Sequence, residues 1–267
     1  VFKTLSAEDY RHARRVAIIG APNTFKTSSL LTWPHDLAIM SYPGEKGWET
    51  IPLDEPGVTA IIWEEMNPEK VSPHAVVREV ESKTWEVLAR PGLVTFAGDG
   101  LHKLYYWYYR RRRADIAGWT LVKDDPEANE QKLDIAAYGS PTGGAYADVM
   151  LYLSKVLQSP VPYVAITMWE EPELDDPSNF KSKSAHIFPA LPGKLAKHIV
   201  GEFGAVVSSE VSLPDPKGRR TGLWQIRPAG KVWGVGVKID PKIAVTLPEK
   251  IDQDFKALES LLKGGKA

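Results

Sequence analysis

The nine residues Gly20-Ala21-Pro22-Asn23-Thr24-Phe25-Lys26-Thr27-Ser28 concentrate the side chains and backbone freedom that can hold a polyphosphate. They follow the apolar run Val16 to Ile19 and lead into a helix-compatible segment, Lys26 to Trp33. A strand, a tight loop and a helix start in that order turn consecutive backbone N–H groups, and the positive end of a helix dipole, toward one point. In such a loop Lys26 reaches the β- and γ-phosphates and the Thr27 hydroxyl ligates Mg²⁺. One position departs from the G-x-x-x-x-G-K-[ST] pattern: Phe25 stands where the second glycine belongs. The loop must then turn without that glycine's freedom at positive φ, a conformation that Asn23 can supply.

Two carboxylates and a hydroxyl complete the candidate chemistry. Asp99 follows the apolar segment Leu93 to Ala97, where a carboxylate can hold the water shell of Mg²⁺. An Asp-Gly after a strand is otherwise an ordinary turn, and the upstream phosphate loop is what gives Asp99 its functional reading. Glu45 lies in the loop Pro43-Gly44-Glu45-Lys46-Gly47, just past the strand candidate Leu37 to Tyr42. Ligands gather at the carboxyl edge of open α/β sheets, and phosphoryl transfer to water needs a group that orients the water, so Glu45 is the candidate. Lys46 beside it helps to keep that carboxylate ionised. Thr167 ends another apolar run, Tyr163 to Thr167, and can either hydrogen-bond a γ-phosphate or serve as a buried strand threonine.

Short apolar runs alternating with amphipathic segments must position these groups. Val16–Ile19, Leu37–Tyr42, Val58–Trp63, Leu93–Ala97 and Tyr163–Thr167 read as strands of a parallel sheet covered on both faces. Ser72-Pro73 has the form of an N-cap followed by proline at the first helical position, opening a helix to about Ala89. Leu101 to Arg113 and Ala145 to Leu157 read as further helices. Arg110 to Arg113 suit the negative end of the first of these as well as they suit a nucleic-acid contact. Residues 114–143 and 170–188 read as long polar loops, which in compact domains are usually functional or mobile. A helix over Leu191–Phe203, a strand over Ala205–Val211, a hairpin of Leu223–Arg227 with Lys231–Lys238, and a helix over Ile251–Leu262 follow. Ser6 and Asp9 mark an opening helix within residues 1–14. The whole predicts one α/β domain over 1–267, with a mostly parallel central sheet and a β-rich extension from about residue 205.

Composition narrows the function classes. The 267 residues are 43% hydrophobic and 25% charged, enough to bury a core, and no apolar run nears the roughly 18 residues of a membrane span. No secretory apolar core is recognised near residue 1, and a cytoplasmic setting is the expectation. With no cysteine there is no disulfide framework or thiolate site, and zinc would depend on six scattered histidines and the carboxylates. A net charge of −1 excludes a global polycation, so any DNA contact must come from a local patch.

The phosphate loop, Glu45 past the next strand, Asp99 after a later strand and Thr167 at a polar strand end resemble, in that order, the RecA-like P-loop ATPase core. The stretches Phe188-Pro-Ala-Leu-Pro-Gly-Lys194, Phe203-Gly-Ala-Val-Val207 and Trp224 to Lys238 resemble short phage-encoded RecA-like proteins of the single-strand-annealing or recombination-mediator type. The resemblance spans most of residues 15–262. It implies a RecA-like P-loop NTPase core with a C-terminal β-hairpin extension, ATP and Mg²⁺ as ligands, a ring or filament of identical subunits, and single-stranded DNA as partner. A single-strand-binding protein is a further implied partner, and the cytoplasm of a phage host the implied setting. By the same resemblance Glu45 positions the attacking water, Asp99 serves Mg²⁺, and Lys238 reaches the neighbouring subunit's nucleotide.

Single-strand binding calls for a basic groove with stacking aromatics. Lys181, Lys183 and His186 are its candidates, with Arg110 to Arg113 behind them, although a solvated loop accounts for each of these singly. Two other functions fit the same motif. One is a nucleotide-gated assembly module with little turnover, favoured by Phe25 and the acidic loops. The other is a small-molecule kinase, which would need a lid and an acceptor pocket that no stretch supplies.

Overall fold

A computed structural model describes residues 14–52, 54–63, 71–117, 135–174, 184–192, 194–226, 235–237 and 247–262. Its centre is β1 (Arg15–Gly20), buried along its whole length. Ala17 and Ile19 face one core and Val16 and Ile18 the other, as the two-residue period of a strand covered on both sides requires. Parallel neighbours flank it: β5 (Tyr163–Leu174) pairs Gly20 with Trp169, and β7 (Ala205–Val211) pairs Gly20 with Ser209. Beyond β5 come β4 (Thr95–Asp99), β2 (Leu37–Ser41) and β3 (Val58–Ile61), all parallel. Beyond β7 the sheet turns antiparallel through β8 (Gly222–Gln225) and β10 (Lys250–Asp252). The expected fold class holds: an α/β architecture with a mostly parallel central sheet and a C-terminal antiparallel extension. The strand ending in Asp99 lies two places from β1, with β5 between them.

Three helices cover one face: α2 (Pro73–Leu88), α3 (Leu101–Ala117) and α4 (Ile135–Leu157), with α3 packed against both others. Ser72 and Pro73 occupy the expected N-cap and first helical positions. The arginines of α3 are engaged in this packing. Asp148 accepts from Arg111 Nη2 at 2.7 Å and from Arg112 Nε and Nη2 at 2.8 and 2.7 Å, while the Arg110 guanidinium lies over the Trp107 ring. The opposite face holds the short α1 (Lys26–Ser29), a 3-10 turn over Leu30–Thr32 and α6 (Phe255–Leu262), whose Phe255 meets Trp33 at 4.5 Å between ring centroids.

Several local expectations change. The loop expected over 170–188 is in part a ladder, because β5 runs on to Leu174 and pairs antiparallel with β6 (Ser184–Pro189). Acidic composition argued for a loop, and cross-strand pairing overrides it. The loop expected over 114–143 is helical at both ends, since α3 reaches Ala117 and α4 starts at Ile135. A Cβ on Gly144 would come within 3.0 Å of Arg112 Nε, so that glycine serves a close helix approach. In the C-terminal extension β8 and β9 (Gly236–Val237) both pair with β7, and β8 takes β10 as its second partner. The terminal helix begins at Phe255, because Ile251 belongs to β10. A short α5 (Lys194–Ile199) with a 3-10 turn over Val200–Glu202 replaces the longer helix expected over Leu191–Phe203. Lys181, Lys183, Lys238, residues 1–13 and the Pro228–Lys231 tip lie outside the described residues, and of His186 only its place on β6 is described. Among the described residues, no helix is long and apolar enough to cross a membrane.

Candidate functional site

The loop between β1 and α1 turns through two left-handed residues, Asn23 at φ 63° and Phe25 at φ 61°. Asn23 takes the role foreseen for it, but Phe25 adopts the missing glycine's conformation as well. A bulky residue there stores local strain of about 1–3 kcal/mol. The Phe25 side chain is 44% exposed, so little packing offsets that cost. Its conformation directs the chain into α1, where Ser29 N–H donates to Phe25 O at 2.9 Å.

Lys26 is 7% exposed and lies folded into the loop. Its ammonium donates to Gly20 O at 2.8 Å and to Ala21 O at 2.5 Å. Burial pulls its pKa down to about 8, against the opposing pull of Asp99, Glu45 and Glu170. An ammonium that shares buried carbonyls and faces three carboxylates is poised to move onto an anion.

Asp99 ends β4 at 2% exposure. Thr27 Oγ1 donates to its Oδ2 at 2.9 Å and Thr167 Oγ1 to its Oδ1 at 2.5 Å. Thr167 in turn accepts the Gly100 N–H at 2.9 Å, so this hydroxyl bridges β5 to the turn after β4. Burial raises the Asp99 pKa to about 6; the Thr167 hydrogen bond opposes the rise and the Glu45 charge adds to it. Thr27 and Asp99 offer a hydroxyl and a carboxylate, hard oxygen donors of the kind Mg²⁺ takes beside waters and phosphate oxygens. A Cβ on Gly47 would come within 2.6 Å of Asp99 Oδ2 and collide with the Thr27 hydroxyl, so the glycine keeps that mouth clear. The donor set and the clearance fit the ion.

Glu45 reaches the same edge from the loop after β2. Its Oε1 accepts the Lys46 and Gly47 amides at 3.0 and 3.2 Å. Its side chain crosses Gly100, where a Cβ would meet Glu45 Oε2 at 2.7 Å and where φ is +86°. Glycine after Asp99 is thus required twice over, by φ and by the carboxylate lying against it.

The sequence-based candidates Lys26, Thr27, Glu45, Asp99 and Thr167 are therefore brought together. Other residues at the site were not foreseen. Ser209 Oγ donates to Thr24 O at 2.6 Å and Gln253 Nε2 donates to the same carbonyl at 3.0 Å, so β7 and the segment after β10 brace the phosphate loop from behind. The polar run Ser208-Ser209-Glu210 closing an apolar strand was a usable signal for the first; nothing local marks Gln253. Glu170, next to the Gly20 partner Trp169, has its pKa raised by burial and lowered in turn by Lys26. His102, three residues after Asp99, lies against Glu45, with 3.7 Å between Nε2 and Oε2. Among the described residues, no group of three or more His, Cys, Asp or Glu could hold a metal by itself.

No family model matches the sequence, and no curated protein does. Among solved structures the chain is similar to a prototypical ATPase from the type III secretion system of pathogenic bacteria, with a TM-score of 0.42 and 12% identity over 74% of this chain and 52% of that one. It is also similar to the flagellar accessory protein FlaH from Methanocaldococcus jannaschii, with a TM-score of 0.37 and 10% identity over 86% and 87% of the two chains. The chain spans about half the length of the secretion ATPase it matches. Likenesses this remote bear on neither substrate nor partner.

Proposed function

We propose that the protein is a RecA-like ATPase that binds ATP with Mg²⁺ and hydrolyses it. The observation that carries this reading is the convergence of Lys26, Thr27, Asp99, Thr167 and Glu45, from four neighbouring strands and the loops after them, on one site. The loop amides and Lys26 hold the phosphates, Lys26 exchanging the Gly20 and Ala21 carbonyls for phosphate oxygens. Mg²⁺, held by Thr27 and Asp99, supplies positive charge beside the phosphate oxygens. Glu45 orients the attacking water and accepts its proton as the new oxygen–phosphorus bond forms. The bond to the departing ADP oxygen breaks in the same displacement. Thr167, whose one hydroxyl proton goes to Asp99, would reach the γ-phosphate only by releasing that carboxylate, and so holds Asp99 in place from the neighbouring strand.

The sequence resemblance extends the reading to a homo-oligomer acting on single-stranded DNA in recombination or replication. Lys238 would then act on the adjacent subunit's nucleotide, and Lys181 and Lys183 would contact the strand. Arg111 and Arg112 donate to Asp148, which leaves Arg110 and Arg113 as the members of that run that would stand behind those lysines. A second reading, a nucleotide-gated assembly module with little turnover, is favoured by the strained Phe25 in the phosphate loop.

Nucleotide binding and ATP turnover, measured with and without single-stranded DNA at two salt concentrations, separate these readings. The ATPase reading expects Mg²⁺-dependent turnover that K26A abolishes. It also expects E45Q to bind nucleotide normally while turning over about 10²- to 10⁴-fold more slowly. DNA affinity should fall with salt, with a log–log slope of about 0.7 per neutralised single-strand phosphate. Tight binding without turnover would establish the assembly reading instead, and unchanged binding and turnover in folded K26A would remove the site.

A further inference from the structure

Glu45 Oε2 and His102 Nε2 are both buried, neither has a hydrogen-bond partner, and they face each other at 3.7 Å. The side chains are 11% and 8% exposed. Two unpartnered polar atoms in one dry contact carry a desolvation cost of about 1–3 kcal/mol each, which a mutual bond would remove. The histidine is fixed from its other side. Its Nδ1 accepts the Trp169 N–H at 3.4 Å, and its ring stacks on the Trp169 indole with centroids 4.5 Å apart. The Lys103 ammonium lies 4.4 Å from the same indole. Burial, with Lys103 and Lys26 nearby, pulls the imidazole pKa down to about 3, so the ring is neutral at physiological pH. A neutral imidazole whose Nδ1 accepts carries its proton on Nε2, the atom that faces Glu45.

We propose that His102 is a positioning residue for Glu45, its Nε2–H donating to Oε2 as the site closes on nucleotide. The inference rests on the hydrolytic reading of Glu45. Catalytic hydrogen bonds are often long before ligand binds and tighten in the complex, and less than 1 Å of movement makes this one. The Lys46 and Gly47 amides hold Oε1. With Oε2 held by the imidazole, the carboxylate has one orientation, and its remaining lone pairs are aimed at the water. Trp169 is aligned with Gly20 at the start of the phosphate loop, so the same ring ties Glu45 to β5, the strand paired with the one that carries that loop.

The test compares H102N and H102Q in the full chain. Asparagine keeps an acceptor for the Trp169 N–H but is too short to reach Glu45; glutamine can place an N–H near the Nε2 position. H102N is expected to lower kcat about ten- to a hundred-fold with KM and nucleotide affinity unchanged, H102Q to recover most of the rate, and H102N to add nothing in the E45Q background. Equal loss in both variants, unchanged kcat in H102N, or additive losses with E45Q would overturn the assignment. A measurement on the unsubstituted ring stands apart from variant folding. Nitrogen NMR with Mg²⁺ and a non-hydrolysable ATP analogue should show an Nε2–H tautomer whose signal moves in E45Q. An Nδ1–H tautomer, or a signal indifferent to E45Q, overturns the proposal. A parent chain without turnover would overturn the hydrolytic reading and this one with it, whereas an active parent with an unaffected H102N overturns only this one.

Discussion

Thr27 and Asp99, 72 residues apart, share a hydrogen bond of 2.9 Å between Oγ1 and Oδ2. The bond ties the first turn of α1 to the end of β4 across β5, which lies between β1 and β4 in the sheet. It sets both oxygens at the mouth that Gly47 keeps clear.

Removing the carboxylate charge from this pair should act on the metal before the chemistry. D99N is expected to weaken Mg²⁺-dependent nucleotide binding and to lower turnover, whereas E45Q lowers turnover alone. Titrating nucleotide affinity against Mg²⁺ separates them, and a D99N protein with normal Mg²⁺ dependence would displace Asp99 from its proposed role.

Phe25 holds a left-handed conformation with a half-exposed ring. F25G is expected to stabilise the fold by about 1 kcal/mol, since relief at φ 61° outweighs glycine's added unfolded-state entropy. Denaturant midpoints at constant m-value measure this. A destabilised F25G would mean that the ring makes contacts worth more than the strain.

Gly100 is confined by φ +86° and by the Glu45 side chain. G100A should displace Glu45, lowering kcat about as far as E45Q does while leaving nucleotide binding close to normal. Parallel turnover and binding measurements decide it, because a variant with unchanged kcat would show that Glu45 tolerates displacement.

The folded state holds the Lys26 pKa at about 8 against an ordinary value of 10.5. In the window between these values the unfolded chain binds more protons at this group than the folded one. The parent's stability should therefore rise with pH relative to K26M between about pH 8 and 10, by at most about 1.4 kcal/mol per pH unit. As pH falls through 8 that contribution is lost. Parallel slopes for the two proteins would show that Lys26 is not held at a cost.

What the sequence determined by itself is the part written locally. Val16 to Ile19 followed by Gly20 to Ser28 specifies a buried strand and a phosphate loop, because apolar continuity and a run of turn-forming and phosphate-binding residues act over a few positions. The same logic placed Asp99 and Glu45 at strand ends and started α2 at Ser72-Pro73, while Thr167, expected at a strand end, lies within β5, which runs on to Leu174. It failed where pairing across the chain outweighed composition. The acidic residues 170–174 form a strand because β6 supplies their partner ladder, and residues 135–144 are helical despite three glycines and a proline. Only the tertiary structure decided which strand lies between β1 and β4, and so that Thr167 meets Asp99 and that Ser209 and Gln253 brace Thr24. The contact of His102 with Glu45 has the same origin. Each joins side chains whose local sequences carry no trace of one another, and a hydrogen bond between them exists only once the packed sheet has set their strand ends side by side.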